Sequence, residues 1–271
     1  MADHEHGLAA DIAVMRRRRV IGGLAVLGAG AGVAIWARGA FGGEAEVTAT
    51  GPDGMCIKAT AETRGPFPAD GSNSIGGTVS NVLAEAGVQR GDIRSSFGTM
   101  TAVADGIALT INLQLVDVGG TCAPLAGRAV YIWHCDAGGK YSLYEATEAN
   151  YLRGVGVTDA DGRVSFTTIL PGCYAGRWPH VHVEVFRDVA TATTGSASGV
   201  ISQLAFPGVA MAGFYASDAR YAASVGNLAG LSLTRDGIFA DHTAAQLTAQ
   251  TLTLGGDAAG LMAAAVVGVA G

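Results

Sequence analysis

The clearest pattern in the chain is a period of two. Ile107, Leu109, Ile111, Leu113 and Leu115 alternate with Ala108, Thr110, Asn112 and Gln114, which predicts a half-buried strand with one apolar and one polar face. Further strands are predicted at 128–134, 163–169 and 181–186, set apart by the turn-forming segments Ala137-Gly138-Gly139, Asp159-Ala160-Asp161-Gly162 and Pro171-Gly172. Residues 250–254 and 261–269 would supply closing strands. No stretch carries a helical stripe of comparable clarity, and 202–240 reads as a long irregular excursion with a turn at Asp236-Gly237. Closely spaced strands with glycine-rich turns predict an all-β fold, an antiparallel β-sandwich whose long loops form a cleft.

Composition excludes several classes. In 271 residues, 49% hydrophobic and 15% charged content rules out global disorder, and 41 glycines without a three-residue period rule out a collagen-like rod. The formal net charge is -6, although Arg16 to Arg19 and Arg38 all lie near the N-terminus. The remaining body is therefore acidic, and no nucleic-acid partner is expected. Arg17-Arg18-Arg19-Val20-Ile21 leads into a glycine-diluted apolar run ending at Trp36, which resembles a twin-arginine (Tat) export signal. The competing reading is a membrane anchor, for which a run of about 17 residues is at the short limit. Residues 1–43 are accordingly read as a Tat-like export signal or N-terminal anchor, and 44–271 as one domain. The expected location is periplasmic or otherwise extracytoplasmic, with membrane contact only through an uncleaved N-terminal segment. Four cysteines (Cys56, Cys122, Cys135, Cys173) in such a compartment allow three disulfide connectivities, and spacing does not choose among them. None forms a Cys-x-x-Cys pair, which argues against a cysteine zinc site.

Candidate chemistry centres on His180-Val181-His182-Val183-Glu184-Val185. In a strand, His180 and His182 share one face while the three valines take the other. The valines suit a core, so the imidazoles are expected to face a cleft or an ion. Glu184 lies on the same face and reads either as an acceptor that orients a ligand or as a solvated carboxylate. Tyr174 precedes the pair by six residues, and Tyr141 closes a loop just after the strand at 128–134. A phenolate is a hard anionic donor, and its usual pKa near 10 must be lowered by a strongly acidic cation. Ferric iron has that acidity, whereas zinc and magnesium sites seldom use tyrosine. His134 shares the alternation of Val130 and Ile132, which favours a buried histidine, or one beside a ligand, over a fifth ligand. Asp159-Ala160-Asp161-Gly162 resembles the opening of a calcium loop but lacks the closing Glu, so it reads as a hairpin turn. His242 falls in a loop with no partner to name.

These residues carry a family resemblance. The segments Trp133 to Tyr141, Thr158 to Tyr174 and Gly176 to Phe186, with the order Tyr, Tyr, Arg, His-x-His, resemble the intradiol ring-cleavage dioxygenases. Arg90-Gly91-Asp92-Ile93, Thr121 to Leu125 and Ser202 to Pro207 are similar to an exported branch of that family, so the likeness spans roughly 56–270. It implies Tyr141, Tyr174, His180 and His182 as protein ligands of a non-haem Fe(III) ion. Arg177 would be the active-site arginine, and Tyr174 would act as a base toward the substrate. It further implies a small aromatic diol and O2 as substrates, and ring opening to a muconate-type product with both oxygen atoms retained. Gln203 is a further candidate beside the cleft, and Arg64-Gly65-Pro66-Phe67-Pro68 lies where related proteins carry a turn near the active-site mouth. Two features depart from the pattern: His134 stands where aromatic-degrading members carry glutamine, and 44–105 holds no counterpart of the helical segment through which catechol dioxygenases dimerise. Two other functions compete. An exported sandwich binding or structural module with a vestigial metal site would use the same hairpins, and a zinc or copper hydrolase would use His180 and His182 but leave both tyrosines and Arg177 unexplained.

Overall fold

The computed structural model describes residues 56–257 and 260–270. The export or anchor segment therefore lies outside the described residues. Two four-stranded sheets face each other. The first has the order β6 (Arg163–Ile169), β3 (Ala108–Asp117), β10 (Gly260–Val269), β9 (Thr253–Asp257). The second has the order β5 (Arg153–Val157), β4 (Ala129–Trp133), β7 (His180–Phe186), β8 (Val200–Ala205). A separate hairpin pairs β1 (Asp70–Ile75) with β2 (Thr78–Asn81). The predicted β-sandwich is thus present. Its pairing is antiparallel except at β3 and β10, which run parallel from Leu261 beside Leu109 to Val269 beside Asp117.

Alternation in β3 puts Leu109, Ile111, Leu113 and Leu115 into the core against Val130 and Ile132 of β4 and Val181, Val183 and Val185 of β7. Burying such side chains stabilises the fold by roughly 1.5–3 kcal/mol each before chain entropy is counted. Where β5 closes on β6 there is no room for a side chain. A Cβ on Gly156 would lie 2.5 Å from Val164 and 2.9 Å from Phe166.

Two stretches, 202–240 and 250–254, depart from the expected pattern. Residues 202–205 belong to β8, and the following stretch holds α1 (Gly208–Ser217) and α2 (Ala222–Ala229) instead of an irregular excursion. Gln250 closes α3 (Ala244–Gln250), so the strand expected at 250–254 starts only at Thr253. Among the described residues, no helix is long and apolar enough to cross a membrane.

The second sheet is buried on both faces. Its inner face makes the sandwich core, while its outer face carries Tyr131, Trp133, Arg153, His180, His182, Glu184 and Gln203, all at most 2% exposed. Loops and the Tyr141 region cover that outer layer. Cys56 and Cys122 form a disulfide, while Cys135 and Cys173 are free thiols.

Candidate metal centre

Four side chains converge over the outer face of β7. His180 and His182 stand side by side on the strand, with their Nε2 atoms 3.1 Å apart. The Tyr141 hydroxyl lies 3.1 Å from His182 Nε2 and 3.4 Å from His180 Nε2, and the Tyr174 hydroxyl lies 3.4 Å from His180 Nε2. Donors bound about 2.0–2.3 Å from one first-row ion sit roughly 3 Å from each other. The four groups therefore have the spacing of a shared ligand sphere. No group of three or more His, Cys, Asp or Glu side chains that could hold a metal occurs among the described residues; an ion placed here would instead meet two phenols and two imidazoles.

Each donor is held by its own local structure. His180 donates from Nδ1 to the Trp178 carbonyl at 2.5 Å, which leaves the Nε2 lone pair directed at the cluster. The His182 ring stacks on Trp133 at 4.7 Å and 4°. Trp133 in turn stacks on Tyr131 at 4.9 Å. Gly65 closes over the same imidazole with φ +69°, and a Cβ there would meet His182 Cε1 at 3.1 Å. The Arg64–Pro68 turn therefore roofs the site. Tyr141 follows a turn in which Asp136 accepts from the backbone N–H of Gly138 and Lys140, and its own N–H donates to Glu145. Its ring lies against Phe67 of the roof at 4.9 Å. Tyr174 sits in a loop tied to α2, where Cys173 N donates to Ser224 Oγ and Asn227 donates to the Cys173 carbonyl.

Burial keeps the imidazoles in their neutral form. Burial, together with the positive charge of Arg177, pushes His180 down to about 3, and His182 is pushed well below its usual value by burial and by His180. Both imidazoles are therefore neutral, which is the ligating form. Burial raises the Tyr141 phenol well above its usual value. Phenolate ligation there requires a strong positive charge at the cluster.

Arg177 lies beside the donors and is 1% exposed. Its Nε donates to Asp236 at 3.1 Å and its Nη2 to Gln203 Oε1 at 2.6 Å. Asp236 also accepts from the backbone N–H of Trp178, Ile238 and Phe239, which fixes it under the guanidinium. The Asp236-Gly237 pair, read from sequence only as a turn, thus supplies the arginine's counter-charge. Gln203 stands opposite His182 in the β7–β8 register.

The structure places the remaining candidates elsewhere. His134 bonds to the Cys135 carbonyl and to Thr168 Oγ1 on β6, both at 2.8 Å, so it lies between the sheets. Glu184 is fully buried, against its reading as a solvated carboxylate. Arg64 donates to it at 2.7 Å, while burial and the adjacent Asp70 hold it up at about 9. His242 is not partnerless. It pairs with Glu62 at 2.9 Å, with both side chains at most 1% exposed.

A dioxygenase family model matches residues 83–208, which contain all four donors, Arg177 and Gln203. Over 117 residues, 38% of this chain, the sequence is 32% identical to the protocatechuate 3,4-dioxygenase beta chain of Burkholderia cepacia, and the match spans 46% of that protein's length. The intradiol ring-cleavage dioxygenase from Tetranychus urticae aligns in three dimensions over 79% of this chain and 95% of its own, with a TM-score of 0.58 at 23% identity. A second solved dioxygenase aligns equally well, with a TM-score of 0.58 at 22% identity. The likeness to these two structures is one of fold.

Proposed function

We propose that the chain is an intradiol ring-cleavage dioxygenase, a non-haem Fe(III) enzyme that uses O2 to open a catechol-type ring. The dioxygenase family model over residues 83–208 and the likeness to the protocatechuate 3,4-dioxygenase beta chain support this reading. Cleavage falls between the two hydroxylated carbons and gives a muconate-type product. One observation carries the reading: the Tyr141 and Tyr174 hydroxyls and the His180 and His182 Nε2 atoms meet at 3.1–3.4 Å. Ferric iron held by these donors supplies Lewis acidity, making phenolate ligation accessible at neutral pH and activating a bound aromatic diol toward dioxygen.

The chain's own residues do the rest. His180 and His182 stay neutral and fixed, one by the Trp178 carbonyl and the other by the Trp133 stack. Tyr141 is 1% exposed and pinned on both sides of its ring, which makes it a permanent donor. Tyr174 is half-buried at the edge of the cluster and is the phenol that would take a proton from the diol at its oxygen. Arg177 keeps its charge at all working pH values and, aimed by Asp236 and Gln203, stabilises negative charge developing on the substrate. The buried surroundings strengthen that interaction by excluding water. Export is part of the proposal, supported by the Tat-like segment and by the Cys56–Cys122 disulfide, which suits an oxidising compartment.

Full-length protein loaded with ferric iron is expected to be reddish from tyrosinate charge transfer, and the colour should bleach in Tyr141→Phe and Tyr174→Phe. Oxygen uptake over a panel of catechols, hydroxyquinols and larger aromatic diols should yield a ring-opened product in step with O2 consumed. Colourless protein carrying stoichiometric zinc, or uptake without ring-opened product, would overturn the reading.

A further inference from the structure

Arg153 is buried without a counter-ion. It begins β5, is 0% exposed and forms no ion pair among the described residues. All its bonds go to neutral oxygens: Nε to Ser142 Oγ at 2.9 Å, Nη2 to the Ser142 carbonyl at 3.0 Å, and Nη1 to the carbonyls of Phe67 and Pro68 at 2.8 and 3.1 Å and to Tyr131 Oη at 3.3 Å. Removing a guanidinium from water without a carboxylate partner is costly, so a role for it is called for beyond generic core filling.

The partners reveal that role. Ser142 directly follows Tyr141. Phe67 is the roof residue against the Tyr141 ring. Tyr131 is the base of the stack that runs through Trp133 to His182. One planar fork therefore joins three segments that touch the donor cluster, a geometry that a flexible point donor cannot reproduce.

The backbone carries an independent sign of the same thing. Among the described residues, four non-glycine residues have left-handed φ: Ala69 at 48°, Cys122 at 61°, Leu143 at 72° and Leu152 at 56°. Three of them adjoin the contacts of this one side chain. Ala69 follows Pro68, Leu143 follows Ser142, and Leu152 precedes Arg153 itself. Such conformations persist only where the surroundings over-determine them.

We propose that Arg153 is a positioning residue for the proposed metal ligand Tyr141. It clamps Ser142, the Phe67-Pro68 roof and Tyr131 so that the phenol is presented in one orientation beside His182, with an unneutralised positive charge nearby. This rests on the reading of Tyr141 as a ligand.

The test uses full-length protein labelled with 3-fluorotyrosine, with the Tyr141 resonance assigned by its absence in Tyr141→Phe. In the metal-free wild type, Tyr141 should give one sharp 19F line. Arg153→Lys, which keeps the charge but loses the fork, should shift or split it. Ser142→Ala should move it in the same direction by less, and it carries the test alone if the lysine variant does not fold. Exposed Arg94→Gln serves as the control and should leave the line in place. In iron-loaded protein, Arg153→Lys should lower kcat roughly ten- to a hundred-fold while KM stays within about two-fold, as expected when a reacting group is misplaced and binding is not. A wild-type Tyr141 line in both variants overturns the proposal even if the enzyme turns over catechols. A wild type that takes up no iron overturns the functional reading instead, and the 19F result on metal-free protein still decides the role of Arg153.

Discussion

Burial without a charged partner makes a histidine an acid-sensitive component of the fold. His134 is 1% exposed and held at about 4 by desolvation, against an ordinary value near 6.5. Its folded pKa is depressed, so below about pH 6.5 the unfolded chain takes up a proton that the native state refuses. Stability is then lost as the pH falls toward 4. The loss reaches about 2 kcal/mol by pH 4.5. Urea unfolding of wild type and His134→Gln at pH 7.5 and 4.5 should show that much less acid destabilisation in the variant, and equal losses would contradict the assignment. The convergence of donors is legible at this scale because His180 and His182 sit two residues apart on a strand and both tyrosines end glycine-rich turns. Asp236, Arg153 and Glu62 are not legible, because each takes its role from a partner 59, 86 or 180 positions away. No local pattern announces such pairings.

Elements differ in how much of themselves they declare. β3 is readable because every second residue is a large apolar side chain. β5, Arg-Gly-Val-Gly-Val, is not, since Gly154 and Gly156 occupy its inward positions. α1, Gly-Val-Ala-Met-Ala-Gly-Phe-Tyr-Ala-Ser, buries Met211 and Tyr215 but exposes Val209, Ala212 and Gly213, so no polar face contrasts with the buried one. The helices nonetheless serve the site: Tyr215 and Tyr221 donate to the carbonyls of Pro171 and Leu170, and α2 grips Cys173 beside Tyr174. Asn227→Ala, which removes one such bond, should cost about 1 kcal/mol. It should also alter the charge-transfer band of iron-loaded protein, because the Tyr174 loop loosens. Calorimetry and a visible spectrum check both effects, and a band identical to wild type would show that α2 does not govern Tyr174.

For the whole molecule, sandwich architecture follows from the strand pattern, but which face bears the site does not. Alternation in β7 separates imidazoles from valines without stating that the imidazole side is covered, by the Arg64–Pro68 turn and the Tyr141 region. One covalent tie, beside the end of β3 in the other sheet, also shapes stability. Cys56 and Cys122 are 66 residues apart, and closing a loop of that size restricts the unfolded chain by about 4 kcal/mol in the entropic account. Reduction should therefore lower the melting temperature by roughly 8–16 °C. Cys135 and Cys173 are buried, with the Cys173 thiol pushed up to about 12 and Cys135 well above its usual value. Neither should react with Ellman's reagent at pH 8 until the protein unfolds. Rapid reaction of two thiols in the native state would contradict that burial.

The parallel union of β3 with β10 has a consequence for biogenesis. β10 is the last described strand to leave the ribosome, yet it fills the middle of its sheet, with β3 on one flank and β9 on the other. Until it is synthesised, the nascent chain holds β3 with an open hydrogen-bonding edge and an unsealed apolar layer. Such an intermediate recruits strangers as readily as its own partner. Maturation must therefore wait for translation to pass residue 269, and chaperone capture is expected to peak just before that point.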